Sequence, residues 1–136
     1  MAGWGLADSK EYVESLGGPV KLLWNEKPLG YTKATNEGIK IARGEYIMLL
    51  NNDIIFNDTD SIKKMMSIIQ KDNSVGMVGA RLLYTDTDKL QHAGVVFNPT
   101  YKTPMHFRAG QATDDAAQRD REFQVVTGAV AITKAE

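Results

Sequence analysis

Apolar positions along the chain recur at two spacings, and the switches between them mark out its elements. Tyr12, Val13 and Leu16 fall at helical spacing and predict a short helix over 8–16, stopped by Gly17-Gly18. Val20 to Trp24 is a compact apolar run between Pro19 and Asn25 and reads as a strand. Residues 25–30 form a loop, because Pro28 has no N–H and Gly30 permits unusual backbone angles. A second helix is expected from Tyr31 to Arg43, ending at Gly44, and a second strand from Tyr46 to Leu50.

Asn57 to Asp60 offer cap residues for a further helix. Its core stripe is Ile62, Met65, Met66 and Ile69, with Lys63, Lys64 and Lys71 off it. Val75 to Tyr84 reads as one strand interrupted by Gly76 and Gly79, followed by a turn at 84–89 and a short strand at Gly94–Phe97. Residues 98–122 show no firm periodicity beyond a short helix near Asp114–Arg119. Phe123 to Thr133 is expected to be a closing strand broken at Gly128. No internal repeat, low-complexity tract or linker divides the chain.

Strand, helix, strand, helix, strand predicts an α/β layer with a mostly parallel sheet. Ligands of such sheets collect beyond the carboxyl ends of the strands. That is where Asn51, Asn52 and Asp53 fall, between the apolar runs 46–50 and 54–56. Buried inside a strand, each would need a partner. At a strand end, Asp53 flanked by amides suits a hard divalent cation, Mg²⁺ or Mn²⁺, bound to a nucleotide. Such an ion takes one or two protein carboxylates, the rest being phosphate oxygens and water. The alternative is that Asn51 and Asn52 make an Asx-turn and Asp53 caps the turn that follows.

Composition narrows the choice of partner. The 136 residues carry 16 basic and 17 acidic side chains, a formal charge of −1, and give no electrostatic case for nucleic acid or an anionic membrane. With no cysteine, disulfides, thiolate metal sites and a cysteine nucleophile are excluded. No apolar run approaches the ~20 residues of a membrane span, and a cytoplasmic location is expected.

An ordered set of motifs carries more than the triplet alone. Gly30-Tyr31, Ala34-Thr35-Asn36-Glu37-Gly38, Ala42-Arg43-Gly44-Glu45-Tyr46-Ile47 and Leu50-Asn51-Asn52-Asp53 resemble successive segments of family 2 glycosyltransferases of the GT-A type. The later runs VGMVGARLLY, LQHAGVVF and VTGA follow in the same order, so the resemblance covers residues 8 to about 133. It implies transfer of a sugar from a nucleotide-diphosphate sugar to a saccharide or other hydroxyl acceptor. Inversion at the anomeric carbon, a divalent metal and a role in glycan or cell-surface polysaccharide synthesis go with it. By position, Asp53 would be the metal-linked aspartate, and Asn51 would stand at the first acid of a D-x-D pair, an exchange that points it toward ribose or water. Asn52 completes the triplet, Asn36 and Gly38 match the helix beneath the donor, and Gly128-Ala129 match the strand edge on the acceptor side.

The chain also departs from that pattern. Pro28 stands where the family has a second loop asparagine, and Gly38 suits close helix–sheet packing. Two opening strands that hold the nucleoside base are missing from the expected Rossmann-like layer, and the usual general base lies beyond the TGA strand. Residues 1–136 are thus expected to be a partial GT-A domain, a fragment of a longer enzyme that is inactive alone, with its catalytic base outside the chain. The missing strands would leave an open sheet edge available for self-association. His92, among apolar neighbours, reads as a structural histidine. His106 is divided evenly between function and structure, in a region where a mobile donor-covering loop is expected, and Asp114 is favoured as a helix cap. A nucleotidyltransferase would want a Gly-rich basic phosphate loop, which is not visible. In a non-catalytic interaction module Asp53 would be only a cap.

Overall fold

The computed structural model describes residues 6–135, which fall into two compact units divided between Arg43 and Gly44. In the first, helix α1 (Leu6–Leu16) ends at Gly17 and Gly18, whose φ values of 59° and 64° are left-handed and favour glycine. Helix α2 (Tyr31–Ile41) begins after Gly30 at φ 74°. It ends two residues earlier than the pattern predicts, because Ala42 turns extended while its N–H donates to the carbonyls of Gly38 and Ile39. The strand expected at Val20–Trp24 does not form. A strand exists only by pairing, and among the described residues of this unit no second strand is available. Val20, Leu23 and Trp24 stay more than two-fifths exposed, with Lys10 placed 5.7 Å over the Trp24 ring. A Cβ at Gly38 would meet nothing within 4 Å, so the tight packing expected there is not seen in this unit.

The second unit holds the core. Strand β1 (Tyr46–Leu50), helix α3 (Ser61–Lys71), strand β2 (Met77–Gly79) and strand β7 (Val130–Lys134) build a three-stranded sheet in the order β1-β7-β2, with α3 packed on one face. Both ladders are antiparallel, Leu50 opposite Val130 in one and Val78 opposite Ile132 in the other. This corrects the expected parallel sheet. β1 and β2 do run in the same direction, but β7 enters between them in reverse, so every named ladder among the described residues is antiparallel. The class remains α/β.

Opposed residues share a face, which places Met48, Ile132 and Val78 in one row beneath α3. Met65 and Ile69 of the α3 stripe complete that core with Val130, while Met66 packs at its margin and Ile62 stays exposed. The helix starts within the predicted capping span, at Asp60. Asp58 Oδ1 accepts from the Asp60 N–H at 2.8 Å and the Ser61 hydroxyl at 3.1 Å, and these bonds hold its carboxyl below the ordinary range. At the other end Asp72 accepts from both N–H and hydroxyl of Ser74, with the same effect.

The single strand expected over 75–84 divides where the chain changes partners. β2 pairs with β7, whereas β3 (Leu82–Leu83) pairs with β4 (Leu90–His92) across the predicted turn. At the division, a Cβ on Gly79 would sit 2.6 Å from the Val126 Cβ, a separation only glycine tolerates without a shift. Residues 98–122 are more regular than the pattern suggests. β5 (Val95–Phe97) and β6 (Pro104–His106) form a hairpin whose turn is tied by Asn98, its side chain accepting from the N–H groups of Thr100 and Tyr101. The short helix α4 (Asp115–Gln118) follows, capped by Asp114. No helix among the described residues is long and apolar enough to cross a membrane.

Candidate functional site

The closing strand is shorter than expected, and its shortening creates the site. Only Val130–Lys134 joins the sheet, and residues 127–129 turn away from it. The Ala129 carbonyl accepts the Asn51 N–H at 2.8 Å, one step beyond the β1–β7 ladder. Antiparallel pairing therefore lays the carboxyl end of β1 beside the start of β7. The run Asn51–Asp53 is thereby joined, at Asn51, to Ala129 of the Gly128-Ala129 pair, which lies far away in sequence. Asn36 lies exposed on α2, in the other unit.

Asn52 and Asp53 are exposed and Asn51 is half-buried. Among the described residues, no side chain of the three makes a hydrogen bond or ion pair. The capping alternative is thus not what forms, since Asp58 makes the bonds at the turn before α3. The three polar side chains at the strand end are left available to a ligand. No group of three or more His, Asp or Glu among the described residues could enclose a metal ion. One exposed carboxylate fits an ion carried in by a diphosphate, since such ions keep most of their shell from phosphate and water. It does not fit a dedicated protein cage.

Ala129 also lines a pocket of about 300 Å³, walled by Tyr84, Gln91, His92, His106 and Thr127. The chain's two histidines meet there. His92 is 2% exposed, and its Nδ1 lies 2.7 Å from Nδ1 of His106, with the rings edge to face at 5.0 Å. On its other side, His92 Nε2 accepts the Thr127 N–H at 3.2 Å. The Thr127 hydroxyl in turn accepts the Ala129 N–H at 3.1 Å. These bonds assign the protons. His92 Nε2 must carry a lone pair, so its proton sits on Nδ1 and is donated to His106 Nδ1, and the His106 proton sits on Nε2.

Burial, and secondarily the proximity of His106, holds the His92 pKa below the ordinary histidine value. The sign follows from linkage. A depressed folded pKa means the unfolded chain binds the proton first, so this stabilisation is complete above about pH 6.5 and is lost as pH falls toward the folded value. At the pocket's outer side Arg108 donates to Asp114 at 2.6 Å, and Asp114 also accepts the Ala117 N–H. Asp114 is thereby a cap and an ion-pair partner, as its favoured reading has it. His106 belongs to the His92 network, a link the sequence hints at only through the alternation that buries Leu90 and His92 together.

The geometry stands beside clear sequence relationships. The family model described as Glycosyl transferase family 2 matches residues 7–127. An uncharacterized protein y4gI of Sinorhizobium fredii (strain NBRC 101917 / NGR234) is 34% identical over 93 residues, covering 66% of this chain and 10% of that protein. The O-antigen biosynthesis protein RfbC of Myxococcus xanthus is 38% identical over 81 residues, covering 60% of this chain and 6% of that protein. The chain thus spans a tenth or less of the length of these relatives. No solved structure matches it significantly. With the family model covering most of its length, the chain belongs to glycosyl transferase family 2.

Proposed function

We propose that this chain supplies the donor-side part of an enzyme that transfers a sugar from a nucleotide-diphosphate sugar to an acceptor hydroxyl, with inversion. The observation that carries the reading is the pairing of the β1 end with the start of β7, which sets Asn51–Asp53 beside Gly128-Ala129 through the Asn51–Ala129 bond. Family membership supports the reaction class. The name of the Myxococcus xanthus relative supports a place in surface-polysaccharide synthesis.

In this reading Asp53 shares a Mg²⁺ or Mn²⁺ ion with the diphosphate, which when bound would neutralise charge on the leaving group. Asn51 and Asn52 present amide donors and acceptors to ribose and water, and Gly128-Ala129 edge the acceptor side. The acceptor hydroxyl must lose its proton as it attacks, help that contributes typically ~10²–10⁴-fold.

β1 pairs on one side only among the described residues, and its other edge is proposed as a self-association surface. The donor reading is tested by calorimetric titration of the chain with a uridine or thymidine diphosphate sugar. Binding is expected with Mn²⁺ and not with a chelator; equal binding in both conditions would refute it.

A further inference from the structure

His92 is the one buried polar residue among those described, and nothing in the donor reading uses it. Yet both its ring nitrogens are engaged, Nδ1 by His106 and Nε2 by a bond that runs toward the site. Nε2 holds the Thr127 N–H, the Thr127 hydroxyl holds the Ala129 N–H, and the Ala129 carbonyl holds the Asn51 N–H. A continuous run of bonds therefore links the buried ring to the strand end that bears Asp53. We propose that His92 is a positioning residue: it fixes the Thr127–Ala129 turn, and through it the Asn51–Asp53 strand end, and holds them only while the His92–His106 pair is neutral. The consequence for donor binding rests on the functional reading above, but the fixing of the turn does not.

The neutrality requirement follows from counting protons. A second proton on His92 would place Nε2–H against the Thr127 N–H, donor facing donor. A second proton on His106 would fill its Nδ1 and force His92 to accept there, moving the His92 proton to Nε2 and breaking the same Thr127 bond. Either protonation releases the turn. The neighbours offer no compensating charge. Tyr84, beyond β3, is the other titratable residue lining the pocket, and residues 125–129 carry none. Lys89, at the head of β4, is exposed. Beyond β6, Arg108 is occupied by Asp114. Among the described residues that line the pocket there is therefore no carboxylate to stabilise an imidazolium. Burial acts in the same direction by disfavouring charge on His92.

The test uses the full chain and ¹⁵N NMR, where two histidines make the ring signals simple to assign. At about pH 8, well above the ordinary histidine range, His92 should be the Nδ1–H tautomer and His106 the Nε2–H tautomer. As pH is lowered through the titration of the pair, the Thr127 and Ala129 amide signals should move with the ring signals. In His92→Gln a side-chain carbonyl can still accept from Thr127, and the Thr127 amide should become insensitive to pH over that range. His106→Gln serves as a second variant that leaves His92 in place, and its Thr127 amide should follow His92 alone. Mn²⁺-dependent binding of uridine diphosphate should weaken by up to about tenfold per pH unit below the titration of the pair in the unaltered chain, and not in His92→Gln. An Nε2–H tautomer on His92 at high pH would overturn the proposal. So would a Thr127 amide that ignores the titration of the rings. Failure of nucleotide binding at every pH, with tautomers and amides as expected, would instead refute the donor reading and leave the positioning role standing.

Discussion

Replacing Gly79 by alanine tests the close packing of Val126 against β2, just before the chain enters the sheet as β7. The new Cβ would lie 2.6 Å from the Val126 Cβ, 3.0 Å from its Cγ2 and 3.1 Å from its Cγ1. The nearest atom is attached directly to the backbone, so no rotamer change relieves it, and either β2 or residues 125–127 must move. Overpacking of this kind costs about 1–3 kcal/mol. For a unit of this size, with a urea dependence near ~1 kcal/mol per molar, the midpoint should fall by about 1–3 M. Amide exchange of the buried Ala131 and Ile132 reports on this unit directly. Val126→Ala removes the two Cγ contacts but leaves the closest one, whereas Val126→Gly removes all three. The double variant Gly79→Ala/Val126→Gly should therefore recover most of the loss relative to the sum of the single changes. An unchanged midpoint for Gly79→Ala, or strict additivity in the pair, would refute the argument.

Two further outcomes are expected from the surface of the same unit. In Arg108→Ala the Asp114 carboxyl, followed by carbon NMR, should titrate higher. It should remain below the ordinary carboxylate range, because the Arg108 bond is the larger cause of its depression but the Ala117 N–H remains. A depressed carboxylate stabilises above its unfolded pKa and loses that effect as pH falls through the folded one, so the variant should be the less stable at neutral pH and converge with the parent in acid. An Asp114 titration unchanged by the substitution would contradict this assignment. Sedimentation of the chain should show association growing with concentration through the free edge of β1, and a strictly monomeric species across the range would count against it.

How far the sequence discloses this molecule depends on whether an element is fixed locally or by its partners. Tyr46–Leu50 and the Met65–Ile69 stripe were legible because burial on one side imposes a period that the residues display. The strand at 20–24 was misread because an apolar run reports burial or pairing without saying that a partner exists. The direction of β7 was invisible for a related reason. A strand that enters between two others looks the same in sequence whichever way it runs, and only the ladder Tyr46–Lys134 decides it. The hairpin at 95–106 was missed because its order comes from Asn98 binding its own turn, a contact that periodicity does not record. Of the site, the triplet Asn51–Asp53 and Gly128-Ala129 could be named in advance, but not that one backbone bond joins them. The His92–His106 pair, 14 residues apart, depends on two strands meeting and could not be read from either histidine alone.

The central claim is that the strand end at Asn51–Asp53 receives the diphosphate with its metal. The most direct measurement compares Mn²⁺-dependent binding of a uridine or thymidine diphosphate sugar by the parent chain and by Asp53→Ala. Asp53 is exposed and makes no bond among the described residues, so the substitution should leave the fold intact, as far-ultraviolet circular dichroism can verify. The account predicts that metal-dependent binding disappears in Asp53→Ala. Binding of the same strength and the same metal dependence in that variant would contradict it.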